Sequence, residues 1–157
     1  MSLNPLTLIN LLVQTVPNDT ASTLVEKCQH LGMVEQLYHS PPDDINLPPF
    51  ERAYQFQFQA PEALGAGLEI LEKETLILQA GFQLSFPRAF LMSPAGKQFD
   101  QMASLLGGHF GAGQRTNIAG AKAIYYNSPS VVSYVSRAKM QDQDIVTVRV
   151  GNRAFWG

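Results

Sequence analysis

One short segment, AYQFQFQ at residues 53–59, constrains the fold of this chain more than any other. Its aromatic residues Tyr54, Phe56 and Phe58 alternate with glutamines. In an extended strand successive side chains point to opposite faces, so the aromatic rings share one face and the amides share the other. The segment therefore predicts a half-buried strand, with its aromatic face against a core and its amide face toward water.

Two amphipathic helices are predicted before this strand. The first begins with Asn4 as the capping residue and Pro5 in the first turn, and it ends at Pro17. The second begins near Asp19 and ends at Gly32. In both segments apolar residues recur at helical spacing, which predicts that one stripe of each helix is buried.

A proline-rich segment, SPPDDINLPPF at residues 40–50, separates these helices from the rest of the chain. Its four prolines cannot belong to a regular element, so it predicts a connector. We interpret residues 1–157 as a single domain, with a helical lead at 1–39 and a sheet-containing body at 51–157. A chain of this length can bury a core of its own.

The first half of the body is predicted from apolar runs and glycines. TLILQ and FQLSF flank Ala80 and Gly81, a pair that predicts a tight hairpin turn between two strands. Residues 61–74 fit a helix or a strand equally well, and both alternatives stay open.

Helical and extended patterns alternate in the second half of the body. Ser93 and Pro94 begin a helix that ends at Gly107 and Gly108, and an irregular connector is expected over residues 107–120. KAIYYN predicts a strand, Ser128-Pro129 predicts a further helix through Ala138, and DIVTVRV predicts the last strand. The predicted fold is α+β, with two N-terminal helices followed by an antiparallel-rich sheet that has two inserted helices.

The composition is unusual in its low charge. Asp, Glu, Lys and Arg make up 15% of the chain, against about 25% in ordinary soluble domains. A surface with few charges loses its water more easily, which suits a protein that packs against copies of itself or against another protein. The sequence therefore favours self-association.

The charge balance and the single cysteine exclude several classes of partner. A net charge of −2 provides no general attraction to nucleic acid or to an acidic membrane. Cys28 has no second cysteine to pair with, and its place on a helical stripe predicts a buried side chain in a reducing, cytoplasmic protein. We expect no signal peptide and no membrane segment.

The stretch GGHFGAGQRTNIAG at residues 107–120 contains five glycines, which can let a backbone approach a phosphate. Its G-x-x-x-x-G spacing is that of a P-loop, but Gln114 and Arg115 stand where Lys and Ser or Thr belong. The stretch also follows a predicted helix and precedes a predicted strand, the reverse of the P-loop context. We therefore expect no anion site there, although His109 is kept as a candidate ligand-binding residue.

The segment RTNIAGAKAIYYNSP resembles the core of RES-domain proteins, whose fold is akin to that of ADP-ribosyltransferases. That family has an Arg-x-Asn-x-x-Gly turn, a strand that ends in tyrosine, and then a helix. Arg115, Asn117, Gly120 and Tyr125 occupy the corresponding places, and Ser128-Pro129 would begin the helix. The resemblance implies an NAD-binding protein in which Arg115, Asn117 and Tyr125 converge on one pocket.

No complete catalytic set and no metal-ligand spacing is present, since the three histidines are far apart and have no cysteine partner. We interpret the chain as a non-enzymatic protein-interaction or assembly subunit that forms homo-oligomers. Phe155 and Trp156 are its candidate interaction residues, expected to pack into a groove on the same chain or on another subunit. One alternative is the NAD-binding enzyme that the RES resemblance implies, or a degenerate relative of it that only binds NAD. The second alternative is a module that binds RNA or DNA through its glycine stretch and the arginines Arg149 and Arg153.

Overall fold

A computed structural model describes residues 2–36, 48–88, 93–118 and 120–156, and for Ile118 only the backbone. Within these ranges it contains four helices: α1 (Pro5–Thr15), α2 (Ala21–His30), α3 (Pro94–Phe110) and α4 (Arg153–Trp156). It also contains eight strands: β1 (Val34–Glu35), β2 (Arg52–Phe58), β3 (Gly65–Lys73), β4 (Leu76–Pro87), β5 (Gln114–Ile118), β6 (Ala121–Asn127), β7 (Val131–Met140) and β8 (Gln143–Asn152). The predicted α+β class is confirmed.

The described strands form one antiparallel sheet in the order β1-β2-β3-β4-β8-β7-β6-β5. This order consists of two four-stranded meanders, β1–β4 and β5–β8, each preceded by a helix. The meanders meet where β4 pairs with β8, in a register that puts Gln83 opposite Thr147. We call this junction the seam, because it divides the sheet into two halves of four strands.

Three helices, α1, α2 and α3, supply apolar side chains to one core on a single face of the sheet. Six buried residues form a continuous row across this face: Phe56, Leu68, Phe82, Val148, Val135 and Ile124. Phe56 is 1% exposed, whereas its neighbours Gln55 and Gln57 point to the other face. The half-buried strand predicted from the alternation is confirmed as β2.

Both predicted N-terminal helices form: α1 has the predicted cap, and α2 begins at Ala21 with Thr20 as its N-cap. The side chain of Asn4 accepts a hydrogen bond from the amide of Leu6, and Pro5 occupies the first turn of α1. Cys28 on α2 has no exposed surface, and burial raises the pKa of its thiol to about 12. Its predicted role as a buried side chain is confirmed. None of the described helices is long and apolar enough to cross a membrane.

The predicted hairpin at Ala80-Gly81 is wrong. β4 continues through both residues, and residues 61–74 resolve as a turn followed by the strand β3. The chain reverses instead at Glu74 and Thr75, whose φ values are 53° and 68°. Gly81 serves a contact described below rather than a turn, which a local glycine pattern cannot distinguish.

The helix predicted from Ser128-Pro129 is also wrong, because residues 131–140 form β7. The hydroxyl of Ser128 accepts hydrogen bonds from the amides of Ser130 and Val131, which closes a turn rather than capping a helix. Buried Val131, Ser133 and Val135 follow the two-residue period of a strand. Pairing with β8 on one side and β6 on the other outweighs the helical spacing of the valines.

The glycine stretch does not form the irregular connector expected over residues 107–120. α3 continues through Gly107 and Gly108 to Phe110 and ends at Gly111, whose φ is 85°. β5 begins three residues later, at Gln114. Phe110 packs against the core with its ring 6.5 Å from that of Tyr126, and this packing compensates for the glycines, each of which costs a helix about 1 kcal/mol relative to alanine.

The division of the chain at residues 40–50 stays a prediction, because residues 37–47 lie outside the described ranges.

Candidate functional site

Arg115, Asn117 and Tyr125 lie on the neighbouring strands β5 and β6, but they do not share one pocket. Arg115 is opposite Ile124, which faces the helices, and Asn117 is on the same face of β5. Tyr125 is opposite Gln114 and therefore points to the other face of the sheet. The convergence implied by the RES resemblance is thus not formed, because it depended on a turn and a helix where the chain has strands.

His109 lies in the last turn of α3, within the helix layer. Its Nε2 is 2.7 Å from Oδ1 of Asn10, so the two side chains link α3 to α1. The groove between these helices is shallow, and it is lined by Leu6, Asp100 and Leu105 among others. Within the described ranges no group of three or more His, Cys, Asp and Glu side chains is placed to hold a metal ion.

The face of the sheet opposite α1, α2 and α3 carries none of these three helices, and we call it the open face. Its middle row crosses seven strands with small or amide side chains: Gln57, Gly67, Gln83, Thr147, Ser136, Ala123 and Thr116. On the described strands β2 to β8, the charged residues that point to this face are Glu69, Lys73 and Arg149. The middle of the open face is therefore polar and nearly uncharged.

The next row of the open face forms a connected network that we call the polar ladder: Gln55, Glu69, Arg149, Tyr134 and Tyr125. Gln55 donates a hydrogen bond of 3.0 Å to the carboxylate of Glu69, which lies 3.6 Å from Nη1 of Arg149. Nε of Arg149 donates to the Tyr134 hydroxyl at 2.9 Å. The rings of Tyr134 and Tyr125 are 5.4 Å apart. The two charges of the ladder are thus neutralised within the chain.

Gly81 makes the polar ladder possible. It lies on β4, between Glu69 on β3 and Arg149 on β8. A Cβ added at Gly81 would lie 2.9 Å from Cγ of Arg149 and would collide with the carbonyl oxygen of Val148. A residue without a side chain therefore lets Arg149 cross β4 and reach Glu69.

A groove of about 570 Å³ lies beside the ladder, on the half of the open face formed by β2, β3 and β4. We call it the glycine groove, since Gly65 and Gly67 form its floor and Gln57, Gln83 and Ser85 line its sides. A Cβ added at Gly65 meets no atom within 4 Å, and one at Gly67 meets only a backbone oxygen at 3.5 Å. Unlike Gly81, these two glycines are not required by the packing of the chain itself.

Sequence reasoning missed the groove because it left residues 61–74 undecided between helix and strand. The signal was the pair of glycines in GAG beside a predicted strand, since glycine inside a strand often marks close approach of a ligand or another backbone. Arg149 and Tyr134 were missed as partners because their proximity depends on the register of β7 against β8.

Phe155 and Trp156, the predicted interaction residues, lie in α4 at one end of the open face. Nε1 of Trp156 donates a hydrogen bond of 3.2 Å to the carbonyl oxygen of Leu78, and its indole lies over Gly151. The ammonium group of Lys73 is 5.8 Å from the Phe155 ring. Both aromatic side chains are half-buried against their own chain, so this end of the open face is covered.

We expect Trp156→Ala to lower the free energy of unfolding by about 1–2 kcal/mol, because a half-buried indole loses part of its apolar contact area and one hydrogen bond. Urea unfolding followed by circular dichroism measures this change. Gly151→Val should have a similar effect, since a side chain there displaces the indole. Unchanged stability in both variants would show that the docked tail contributes nothing.

A comparison with models of known protein families, with curated proteins and with solved structures found no match to this chain. The geometry of the open face is therefore the basis on which a function is proposed.

Proposed function

We propose that the chain is a non-enzymatic, cytoplasmic protein-interaction subunit that associates with itself through the open face. The observation that carries the proposal is the composition of this face, which is broad and, in its middle, polar and nearly uncharged. Its central charges, Glu69 and Arg149, are paired with each other. Such a surface can be dehydrated without leaving an unpaired charge in the interface.

The residue types of the open face support a protein interface rather than an ordinary solvated sheet. Protein interfaces are enriched in tyrosine and arginine and depleted in lysine and glutamate. Tyr125, Tyr134 and Arg149 lie together on this face, and Tyr125 is 37% exposed. Rings and guanidinium groups held by neighbouring residues lose little conformational freedom when a partner binds them.

The open face is also large enough for a stable dimer. Eight strands span about 34 Å, from seven spacings of about 4.8 Å, and six residues along a strand add about 20 Å. The resulting area of roughly 700 Å² per copy is close to the roughly 800 Å² that a standard interface buries on each partner. A second copy meets no like-charge repulsion in the middle of this face, since Glu69 and Arg149 are paired there with each other.

The two alternative functions have less support. An NAD-binding site would use Arg115 and Tyr125 together, and these residues point to opposite faces of the sheet. A site for RNA or DNA that uses Arg149 would need this cation to be unpaired, whereas Arg149 pairs with Glu69.

The test places a charge in the middle of the open face. We expect the wild-type chain to have the mass of a dimer in light scattering, and Thr147→Arg to raise the dimer Kd at least about 100-fold. The physical reason is that each copy would bury an unpaired guanidinium group. Gln29→Arg, at an exposed position of α2, is the matched control and should remain dimeric. A wild-type monomer at hundreds of micromolar, or a dimeric Thr147→Arg variant, would refute the proposal.

A further inference from the structure

Gly65 and Gly67 weaken β3 without any benefit inside the chain. Glycine in a strand interior has a larger entropy loss on folding than alanine and offers no side chain for packing. Alanine fits at both positions, because an added Cβ meets no atom closer than 3.5 Å. These glycines therefore keep the groove open for something outside the chain.

The other half of the open face carries two rings in contact, those of Tyr125 and Tyr134, which are inclined by 48° to each other and which we call the tyrosine ridge. Tyr134 is held by Nε of Arg149, and Tyr125 packs against Tyr134 with a ring distance of 5.4 Å. The ridge is thus supported from one side and exposed at Tyr125. Anchored tyrosines of this kind supply rigid contact area in interfaces.

The groove and the ridge lie at equal distances from the seam. β3 and β7 are each the second strand from it, about 7 Å away, and β2 and β6 are each the third, about 12 Å away. Consider a twofold axis that lies in front of the seam and is inclined to the strands, so that it also carries the row of Tyr134 and Tyr125 onto the neighbouring row that contains Gly67. This axis places β7 of a second copy over β3 of the first, and β6 over β2.

We propose that two copies pack open face to open face, with the tyrosine ridge of each copy seated in the glycine groove of the other. The proposal rests on the proposed function and specifies its geometry. A twofold interface of this kind uses the same ridge–groove contact twice. No other partner is needed to fill the groove.

The chemistry of the groove suits a tyrosine. Its floor at Gly65 and Gly67 exposes peptide backbone on which an aromatic ring can lie. The amides of Gln57 and Gln83 and the hydroxyl of Ser85 line the groove, and they can donate to or accept from a phenol hydroxyl. A buried tyrosine needs such a partner for its hydroxyl. The two charged residues that also line the groove, Glu69 and Arg149, are paired with each other, so seating the ridge desolvates no unpaired charge.

The experiment fills the groove in one variant and removes the ridge in another. Gly67→Leu and Tyr125→Ala should each raise the dimer Kd at least about 30-fold, and native mass spectrometry of each alone should show mainly monomer. An equimolar mixture should form a heterodimer. One of its two contacts is native, and in the other the added leucine faces the space that the tyrosine left.

A milder variant separates binding from folding. Gly65→Ala combined with Gly67→Ala should leave the urea midpoint of the monomer unchanged or raise it, because alanine fits both positions. The same double variant should raise the dimer Kd at least about 10-fold. Both urea midpoints are measured at concentrations where wild type and variant are monomeric, because loss of the dimer would itself lower the midpoint. A lower midpoint of the variant under these conditions would show that the glycines serve the fold, and it would overturn the inference.

The outcomes distinguish this inference from the proposed function. If the groove and ridge variants dimerise like the wild type while Thr147→Arg is monomeric, the open face is the interface but the ridge–groove contact is wrong. If both variants are monomeric and their mixture stays monomeric, the ridge and groove do not face each other, and the inference is again overturned. A wild-type chain that is monomeric at hundreds of micromolar refutes the proposed function itself.

Discussion

Gly81→Ala should destabilise the protein by about 3 kcal/mol, although it adds a single methyl group. Gly81 lies in β4, which pairs on both sides with β3 and β8. The added Cβ would collide with the Val148 carbonyl oxygen and lie 3.0 Å from Cα of Arg149. Backbone atoms cannot move aside without breaking the β4–β8 pairing, so the cost reaches the upper part of the range for overpacked sites, about 1–3 kcal/mol.

Gly65→Ala is the matched control for this prediction, because it makes the same change in the next strand. No atom lies within 4 Å of its added Cβ, so stability should stay the same or rise by about 0.5–1 kcal/mol. Urea unfolding of both variants gives the comparison directly. Equal effects would mean that the crossing of Arg149 over Gly81 does not require the glycine.

Asp144→Ala should also cost about 3 kcal/mol. Asp144 is 2% exposed, and its Oδ2 lies 3.3 Å from Nη2 of Arg137, whose side chain is 23% exposed. Removal of the carboxylate leaves a largely buried guanidinium group without its counter-charge, and one-sided loss of a buried pair costs about 3–5 kcal/mol. The expected cost is at the lower end of this range because the Arg137 guanidinium group keeps some access to water.

The position of Asp144 beneath α3 is a second reason to expect that its removal lowers the stability of the protein. A Cβ added at Gly96, in the first turn of α3, would lie 3.0 Å from Nη1 of Arg137, so the guanidinium group is close to the positive end of the helix. The carboxylate of Asp144 compensates the charge of the Arg137 guanidinium group and the positive end of α3. Its Oδ2 also accepts a hydrogen bond of 3.4 Å from Ser93.

Replacement of both members of the pair tests this reason. Arg137→Met combined with Asp144→Leu should be within about 1 kcal/mol of the wild type, since an apolar pair of similar volume leaves no buried charge. Chemical unfolding of Arg137→Met, Asp144→Leu and the double variant completes the double-mutant cycle. If the double variant is as unstable as Asp144→Ala, the loss comes from packing rather than from the unpaired charge.

The sequence by itself determined the features that depend on neighbouring residues. The cap of α1 follows from Asn4 and Pro5, and the two faces of β2 follow from the alternation of aromatic residues and glutamines. The low charge that supports an interaction function is likewise a property of composition. These predictions succeeded because hydrogen bonds and side-chain directions within one helix or strand repeat with a fixed period.

The local sequence pattern was insufficient wherever it is compatible with two different structures. The valines at 131, 132 and 135 fit a helix, yet alternate positions of the same segment fit a strand, and pairing with β6 and β8 decided for the strand. Gly107 and Gly108 are typical of a helix end, but α3 continues beyond them because Phe110 packs on the core. In both segments contacts with distant residues outweighed propensities of about 1 kcal/mol or less.

The candidate site is a product of tertiary structure alone. Glu69 and Arg149 are separated by 80 positions in sequence, and they meet because β4 and β8 pair in one register and Gly81 leaves the space between them open. A register shift of one residue would send Arg149 to the helix-covered face. Residue types along the chain do not specify that register, so the sequence supplied the side chains of the open face, and the pairing of distant strands decided which of them meet.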